Sequence, residues 1–525
     1  MVIGSGIGGS AAAAMLAHAG IRTTLLEKNR RIGGSCAGYE KQGFKIDIGT
    51  HMFCRGPVGP LGDVLERLGE AGAIEFRQTP DIAEIRTTVT DVNLTCIRVP
   101  ASRYRYPRFF MEIARVMRLS ARELAEATRM FGRIIAMTDE EVDEWNDHTV
   151  EDFIVQYTQH PGLISLFGFL LGLYFILPYW KVSAGEAFWA FRRMVRDNWL
   201  SYPVGGSQVI PGTYVDVARR RGGEVRTGTG VRRVLVDAGR VTGVELADGS
   251  RIDADIVVST SSVRTTVQHL VGPEHFPAAY ADAARSIEGS FIAVQCKVGL
   301  DTKLVDAGAI VGGVGEHVDL FTVGTDDIKA MFDNVAQGRV PPVIPFYCPV
   351  PSNFDPSLAP PGGQLLTCCA VAPTSDVDLV DPPEVWEEAM LRSLRAVVPG
   401  LDEHALFIDR FSVDFIERWI GKEFGPAVST GQVPGQVGAD RTPVHTPIDG
   451  LYLAGCGAGA RGVGTELAAA SAMECVDRVL TDLGRAPYAP IPEVGAGSRL
   501  EREATRALGW VARGRARLPG LRAGG

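Results

Sequence analysis

The chain has 525 residues, of which 46% are hydrophobic and 22% are charged, so it is long enough for two intergrown globular domains and too apolar for a disordered chain. Its formal net charge of −9 excludes nucleic acid as the main partner, because phosphate binding requires a basic surface. Nine scattered cysteines without a C-x-x-C pair predict a reducing, cytoplasmic location with no structural metal.

The first residues predict a strand, a glycine turn, a helix and a second strand. Val2-Ile3 leads into the run GSGIGG at residues 4–9, a helix of small residues is expected over about 10–19, and a strand over 23–27 ends at Glu27. A buried strand usually has about five residues, so we expect residues of this strand to be missing upstream. The immediate glycine turn argues against a signal peptide.

Glycines in this order, with an acid about 20 residues further on, are typical of a βαβ dinucleotide-binding unit. Gly4 would make the turn, Gly6 would let a pyrophosphate approach the backbone, and Gly9 would allow the helix to pack closely. The helix N-terminus would bind the phosphates, and Glu27 would bind the adenosine ribose. The residues predicted for this turn are Gly4, Gly6, Ile7, Gly8 and Gly9.

Residues 100–200 are expected to be helical, and residues 225–260 predict a β-meander whose last strand covers 252–260.

Further phrases lie beyond the ribose-binding acid. A second glycine pair at Gly33-Gly34 precedes the phrase GFKIDIGTH at residues 43–51, and other phrases occupy residues 202–207, 352–362 and 446–455. Together they resemble the amine-oxidase and phytoene-desaturase superfamily of FAD enzymes, in particular its carotenoid isomerase and retinol saturase branch. The resemblance extends over residues 1–485.

The resemblance implies an α/β fold in which a discontinuous Rossmann-like FAD-binding domain is interleaved with an α+β substrate domain. We expect the first domain over residues 1–95, 200–265 and 425–485, the second over 96–199 and 266–424, and a basic tail over 486–525. Bound noncovalently, FAD would also contact Lys28, Gly33, Gly34, Ser35, Gly49, Thr50, His51, Val231, Gly455, Cys456, Gly464 and Thr465. Many FAD enzymes have an aspartate where Cys456 stands, but carotenoid desaturases often lack it, so flavin binding is still expected while no role is assigned to position 456.

The implied activity is an FAD-dependent oxidoreduction that moves hydride between flavin N5 and a carbon of a long apolar, isoprenoid-like substrate. The uncharged stretch 163–180 is long enough to cross a membrane, but its glycines and Pro178 favour a buried helix that lines an apolar cavity. Its aromatic neighbours are Phe188, Trp189, Phe191 and Trp199. An amine oxidase and a non-catalytic flavin-containing lipid-binding protein remain the alternatives.

Two residues are candidates for catalysis, His51 after the flavin-binding phrase and Glu466 at the start of a predicted helix. A histidine near a flavin can exchange protons, although a packed histidine fits equally well. A carboxylate at a helix start also serves simply as a favourable charge, and this reading is the stronger one for Glu466. No Ser-His-Asp, zinc or P-loop pattern is present in the sequence.

Two segments are strongly basic. Residues 98–133 contain nine arginines and three glutamates, a net charge of +6, and residues 499–525 carry a net charge of +5. Basic segments on an acidic protein favour an anionic membrane surface as a peripheral partner, although solvated helix faces would have the same composition.

If His51 exchanges protons, His51→Gln should retain FAD and lower turnover by about 10²–10⁴-fold, the usual contribution of general acid–base catalysis. The pH–rate profile should also lose an inflection in the histidine range. Flavin content and steady-state kinetics would test this. Turnover within a few-fold of the wild-type rate would make His51 a packing residue.

Overall fold

The computed structural model describes residues 1–49, 52–88, 94–313 and 324–491, and within them the strands form five sheets. In chain order the strands are β1 (Val2–Ile3), β2 (Thr24–Leu26), β3 (Gly38–Lys41), β4 (Phe44–Asp47), β5 (Phe76–Arg77), β6 (Asp81–Thr88), β7 (Leu94–Pro100), β8 (Tyr202–Pro203), β9 (Glu224–Arg226), β10 (Val231–Asp237), β11 (Arg240–Leu246), β12 (Arg251–Asp253), β13 (Val257–Ser259), β14 (Ile292–Leu300), β15 (Ala309–Gly312), β16 (Phe346–Pro349), β17 (Gln364–Ala372), β18 (Ala405–Phe411) and β19 (Leu451–Leu453).

The α-helices of the same residues are α1 (Ile7–His18), α2 (Pro60–Arg67), α3 (Tyr106–Val116), α4 (Ala121–Ala136), α5 (Asp139–Asp143), α6 (Val150–Ile154), α7 (Pro161–Phe175), α8 (Ala184–Asp197), α9 (Val209–Arg220), α10 (Val263–Thr265), α11 (Ala278–Ser286), α12 (Thr325–Ala336), α13 (Pro351–Phe354), α14 (Pro383–Val397), α15 (Leu401–His404), α16 (Phe415–Ile420) and α17 (Gly464–Asp482).

The first sheet is parallel throughout and has the strand order β19-β13-β1-β2-β9. Its strands come from the beginning, the middle and the end of the chain, as predicted for a discontinuous Rossmann-like unit. Helix α1 packs against α9 and α17, and the alanines at 11–14 are fully buried there. Small side chains let these helices lie close together. The predicted fold class is confirmed.

The largest sheet has seven strands in the order β18-β14-β17-β16-β15-β6-β7. Its pairs are antiparallel except β15–β6. Helix α14 packs on this sheet and inserts the fully buried Trp386 into its core. Sequence analysis missed the hairpin β6–β7, and the boundary predicted at residue 95 falls inside it.

Residues 100–200 form helices α3–α8, as the sequence predicted. Helices α4 and α5 both begin with capping boxes, in which Ser120 pairs with Glu123 and Thr138 with Glu141. Helix α7 has Pro161 in its first turn and ends at Ile176 in a left-handed conformation (φ 55°). No helix of the described residues is long and apolar enough to cross a membrane.

The predicted meander after residue 230 is present in β10, β11 and β12. The expectation of one strand over 252–260 is wrong, because this segment divides into β12 and β13, which belong to different sheets. The side chains of β13 are buried on both faces, as a central parallel strand requires, whereas β12 is mostly exposed.

Candidate functional site

The glycine turn between β1 and α1 lies at the carboxyl edge of the parallel sheet. Gly4 has a φ of +92°, and its N–H donates to the Leu26 carbonyl oxygen at 2.8 Å. A Cβ at Gly9 would lie 1.9 Å from the Gly4 carbonyl oxygen, so only glycine fits there. A Cβ at Gly6 would meet no atom within 4 Å, because Gly6 faces an open cavity.

Two other chain segments come equally close to this turn. A Cβ at Gly8 would lie 2.9 Å from the Cα of Gly455, which follows β19. A Cβ at Gly34 would lie 3.1 Å from the Cα of Gly6, and Gly33 and Gly34 both have positive φ. The three glycine segments therefore meet backbone to backbone around one end of the cavity.

Glu27 is only 4% exposed, and its carboxylate is held by its neighbours. One oxygen accepts hydrogen bonds from the Ser5 N–H at 2.9 Å and the Ser5 hydroxyl at 2.6 Å, and the other accepts from the Asn29 N–H at 2.8 Å. The Ser5 hydroxyl oxygen also accepts from the Gly33 N–H at 3.1 Å. Sequence reasoning missed Ser5, which joins the predicted acid to the second glycine pair.

Most residues predicted to bind the cofactor line this one cavity. Gly9 instead lies behind the wall, in the packing role predicted for it, while Thr50 and His51 lie outside the described residues. The predicted residues in the lining are Gly4, Gly6, Ile7, Gly8, Glu27, Lys28, Gly33, Gly34, Ser35, Gly49, Val231, Gly455, Cys456, Gly464, Thr465 and Glu466.

The cavity has a volume of about 2360 Å³, more than twice the upper end of the ~300–1,000 Å³ usual for small-molecule pockets. Beyond the glycines its walls come from α3, α4, α7 and α8 and from one face of the seven-stranded sheet, and they are mainly apolar, although charged side chains of Arg129, Asp139, Arg192, Arg193 and Arg196 also contribute. The prediction that the stretch 163–180 lines an apolar cavity is confirmed for α7.

The aromatic prediction is half right. Phe188 and Phe191 line the cavity, but Trp189 and Trp199 do not. The Trp189 ring instead packs against the guanidinium groups of Arg193 and Arg461, at 5.4 and 5.9 Å from the ring centre.

Glu466 lies in the first turn of α17, where the glycine end of the cavity meets its apolar part. One carboxylate oxygen accepts a hydrogen bond from the Arg55 N–H at 2.8 Å. Burial raises the pKa of Glu466 to about 7, against the opposing effect of the Arg55 side chain, which pairs with Asp197 at 2.5 Å. The carboxyl group can therefore gain or lose a proton near neutral pH.

Two further groups of this region were missed by the sequence analysis. Tyr174 of α7 and Cys54 line the same part of the cavity, and the Tyr174 hydroxyl hydrogen-bonds the Cys54 thiol. Burial raises the pKa of both groups, so both stay neutral at physiological pH. No sequence pattern distinguishes Tyr174, which lies in an otherwise apolar helix.

Cys456 stands beside a cation. Burial alone raises the pKa of its thiol, but the Lys422 ammonium and the hydrogen bond with Ser429 outweigh burial and leave the pKa below its ordinary value. Lys422 also lines the cavity and donates to the Ala427 carbonyl oxygen at 2.9 Å. This environment is polar and cationic.

The loop before α17 is anchored to α8 by buried charges. Glu186 is fully buried and accepts hydrogen bonds from the Arg461 Nε at 3.2 Å and the Gly462 N–H at 2.8 Å. Arg461 also donates to Asp143 at 2.5 Å and to Asn146 at 2.6 Å. The position of Gly464–Glu466 in the cavity is therefore tied to α5 and α8.

The residues at the glycine end fit a dinucleotide. The open space beside Gly6 can hold a pyrophosphate against the first amides of α1, whose first turn has no acidic residue and no side-chain cap. The Glu27 oxygen bonded to Asn29 has a further lone pair for a ribose hydroxyl. Lys28 and Val231 line the cavity near this acid.

The parallel sheet, the glycine turn and the buried acid define a dinucleotide-binding flavoprotein fold. The family described as flavin containing amine oxidoreductase matches residues 7–480, so the chain belongs to that family. The predicted FAD cofactor and oxidoreductase class are confirmed at the level of the family.

Known relatives are distant. A phytoene desaturase of Fusarium fujikuroi is 27% identical, and the match covers 69% of this chain and 64% of the relative, so less than two thirds of that protein's length is matched. The chloroplastic prolycopene isomerase of Daucus carota is 24% identical over 97% of this chain and 83% of the relative. An oxidoreductase from Methanosarcina mazei has the same fold, with a TM-score of 0.65 and 21% identity over 90% of this chain and 98% of its own.

Gly6→Val should abolish FAD retention without unfolding the protein. The added side chain would project into the open space beside α1, where the pyrophosphate is expected, and would meet no protein atom at its Cβ. Gly212→Val is the matched control, because its Cβ also meets nothing within 4 Å and Gly212 lies outside the cavity lining. Flavin absorbance and circular dichroism of both purified variants would test this; a fully yellow Gly6→Val protein would contradict it.

Glu466 should titrate near pH 7 in the FAD-loaded protein. Since burial raises its pKa, the carboxyl is neutral below about pH 7 and ionised above it. The flavin absorption spectrum should shift through this range, and the shift should vanish in Glu466→Gln. Glu387→Gln is the control, because burial also raises the pKa of Glu387 outside the cavity. An unchanged titration in Glu466→Gln would show that another group is responsible.

Proposed function

We propose that the protein is an FAD-dependent oxidoreductase that desaturates, saturates or isomerises carbon–carbon bonds of a long apolar, isoprenoid-like substrate. The observation that carries this proposal is that one continuous cavity joins two parts. The first is the glycine cradle, formed by the three glycine segments around Gly6, Gly34 and Gly455, and the second is the apolar chamber between α3, α4, α7, α8 and the seven-stranded sheet. A cofactor at the glycine end would face a chamber whose walls offer contacts to a hydrocarbon chain.

The chamber walls support an elongated apolar ligand. Phe131, Phe167 and Phe191 pack against one another, with ring centres 4.9 and 5.9 Å from Phe131, and all three line the cavity. On the opposite side Ala293, Val311 and Tyr347 of the seven-stranded sheet complete the wall. The names of the relatives agree with this substrate class, since phytoene desaturases and prolycopene isomerases are among them.

When bound, FAD would supply two-electron hydride chemistry, while the protein orients the substrate and excludes water. Glu466 is the residue of the described cavity that we assign to proton transfer, because its raised pKa suits exchange near pH 7. Tyr174 lies beside the same junction and would contribute a neutral hydroxyl to the reacting end of the substrate. His51 remains a second candidate from the sequence.

An amine oxidase would use the same fold, and Glu466 would then have to orient a cation. The extensive apolar walls of the cavity would stay unused by a small amine. A lipid-binding protein without catalysis would bind the same ligand but would not turn over. We further propose that the protein works peripherally at a membrane, where apolar substrates reside.

The test is anaerobic photoreduction of the FAD-loaded protein, followed by mixing with polyenes, saturated isoprenoids or small amines. Oxidised protein should lose its flavin absorption band with a desaturation substrate, or reduced protein should regain it with a polyene, and amines should have no effect. Oxidised flavin bleached by amines alone would favour the amine oxidase. A flavin that responds to no ligand which nevertheless binds, together with the absence of any isomerised product, would identify a binding protein.

A further inference from the structure

The cavity opens between α3, α4 and α7. Most residues that both line the cavity and are exposed to solvent lie here, Lys28 and Asp139 being elsewhere, and the apolar ones include Tyr104 (83% exposed), Phe110 (43%) and Leu170 (45%). The exposed Ala125 and Arg129 of α4 belong to the same rim. Large apolar side chains thus surround an apolar opening while they face water, which is unfavourable for an isolated protein.

The exposed side of α3 is both basic and apolar. One face of α3 carries Arg108, Met111 and Arg115, which are spaced three and four residues apart. Arg118 continues this spacing just after the end of the helix. All four are exposed, and Met111 has 59% of its surface in water. Phe110 lies at the edge of this face towards the cavity, 5.8 Å from the Phe131 ring.

Four arginines of this region have no carboxylate partner among the described residues, although Arg98, Arg105, Arg122 and Arg133 have one. Within the described part of the chain, Arg108, Arg115, Arg118 and Arg129 have no carboxylate within 4.0 Å, unlike Arg105, which pairs with Asp81 at 2.8 Å. Residues 98–133 carry a net charge of +6, although the whole chain has a net charge of −9. This part of the surface therefore attracts anions that the rest of the protein repels.

We propose that this rim, formed by Tyr104, the exposed face of α3, Ala125, Arg129 and Leu170, docks onto an anionic lipid bilayer with the cavity opening towards the lipid. The apolar side chains would enter the boundary between headgroups and acyl chains, and the arginines would contact lipid phosphates. An apolar substrate would then pass from the bilayer into the chamber without crossing water. The inference rests on the proposed function for this last step only, since docking itself needs no substrate.

The experiment is sedimentation of the full-length FAD-loaded protein with vesicles, in the absence of substrate. One vesicle preparation contains phosphatidylcholine alone and the other contains phosphatidylcholine and phosphatidylglycerol in equal parts. We expect pelleting with the anionic vesicles only, and weaker binding as salt screens the arginines. Arg108→Gln/Arg115→Gln should reduce partitioning roughly fivefold for each arginine, and Phe110→Ser/Met111→Ser by at least about tenfold.

Val385→Ser/Leu406→Ser is the matched control, because these side chains are 42% and 48% exposed elsewhere on the surface and do not line the cavity. It should bind like the wild-type protein, and flavin content confirms that each variant is folded. If the wild-type protein does not pellet with anionic vesicles at low salt, the proposed docking surface is wrong. A protein partner or free diffusion would then have to supply the substrate. Full binding of both rim variants would overturn the docking surface as well, and would assign any lipid binding to another basic segment.

Substrate turnover separates this inference from the proposed function. Rim variants that lose vesicle binding but keep turnover of detergent-solubilised substrate would support docking as a separate property of the rim. If every substrate fails while the vesicle results hold, the proposed activity is wrong and the docking surface stands.

Discussion

The whole site depends on the close approach of three backbone segments at the carboxyl edge of the parallel sheet. Gly4 and Gly9 touch within one turn, Gly8 touches Gly455, and Gly34 touches Gly6, each at a separation that leaves no room for a Cβ or leaves it in close contact. Because these segments come from the beginning and the end of the chain, the cradle exists only when the discontinuous sheet is complete. Fold and site are thus formed by the same contacts.

The cavity separates two electrostatic environments. At the glycine end are the amides of α1, the held carboxylate of Glu27 and the ammonium group of Lys422. Beyond the junction the walls are mainly aromatic and aliphatic, and a charge placed against these side chains would lose its hydration without compensation. Glu466 stands at the boundary, where burial has already shifted its proton equilibrium towards neutral pH. The cavity therefore suits a ligand with a charged part at one end and an apolar part at the other.

The site residues that could be predicted are those whose sequence motif lies within one short segment of the chain. The glycines at 4–9 and Glu27 could be predicted because a turn, a helix and a strand fix their spacing within one short segment. Ser5, Tyr174 and Lys422 could not, since their partners are distant in the sequence and serine, tyrosine and lysine are common in other roles. The fold shows the same division: the meander was visible as alternation, whereas the hairpin β6–β7 has buried polar side chains such as Glu84 and Arg86 that conceal its pattern.

The buried pair of Glu186 and Arg461 has a consequence for how the chamber can open. Moving α8 away from the loop before α17 would break the buried hydrogen bonds that Glu186 accepts from Arg461 and from the Gly462 N–H, which is costly in the protein interior. We therefore expect α8 to be the more rigid wall of the chamber, and the motions that admit a bulky ligand to occur on the opposite side, where α3 and α4 carry exposed side chains and few buried charges. The architecture thus separates a rigid half, which keeps the reacting groups in register, from a compliant half, which faces the surroundings.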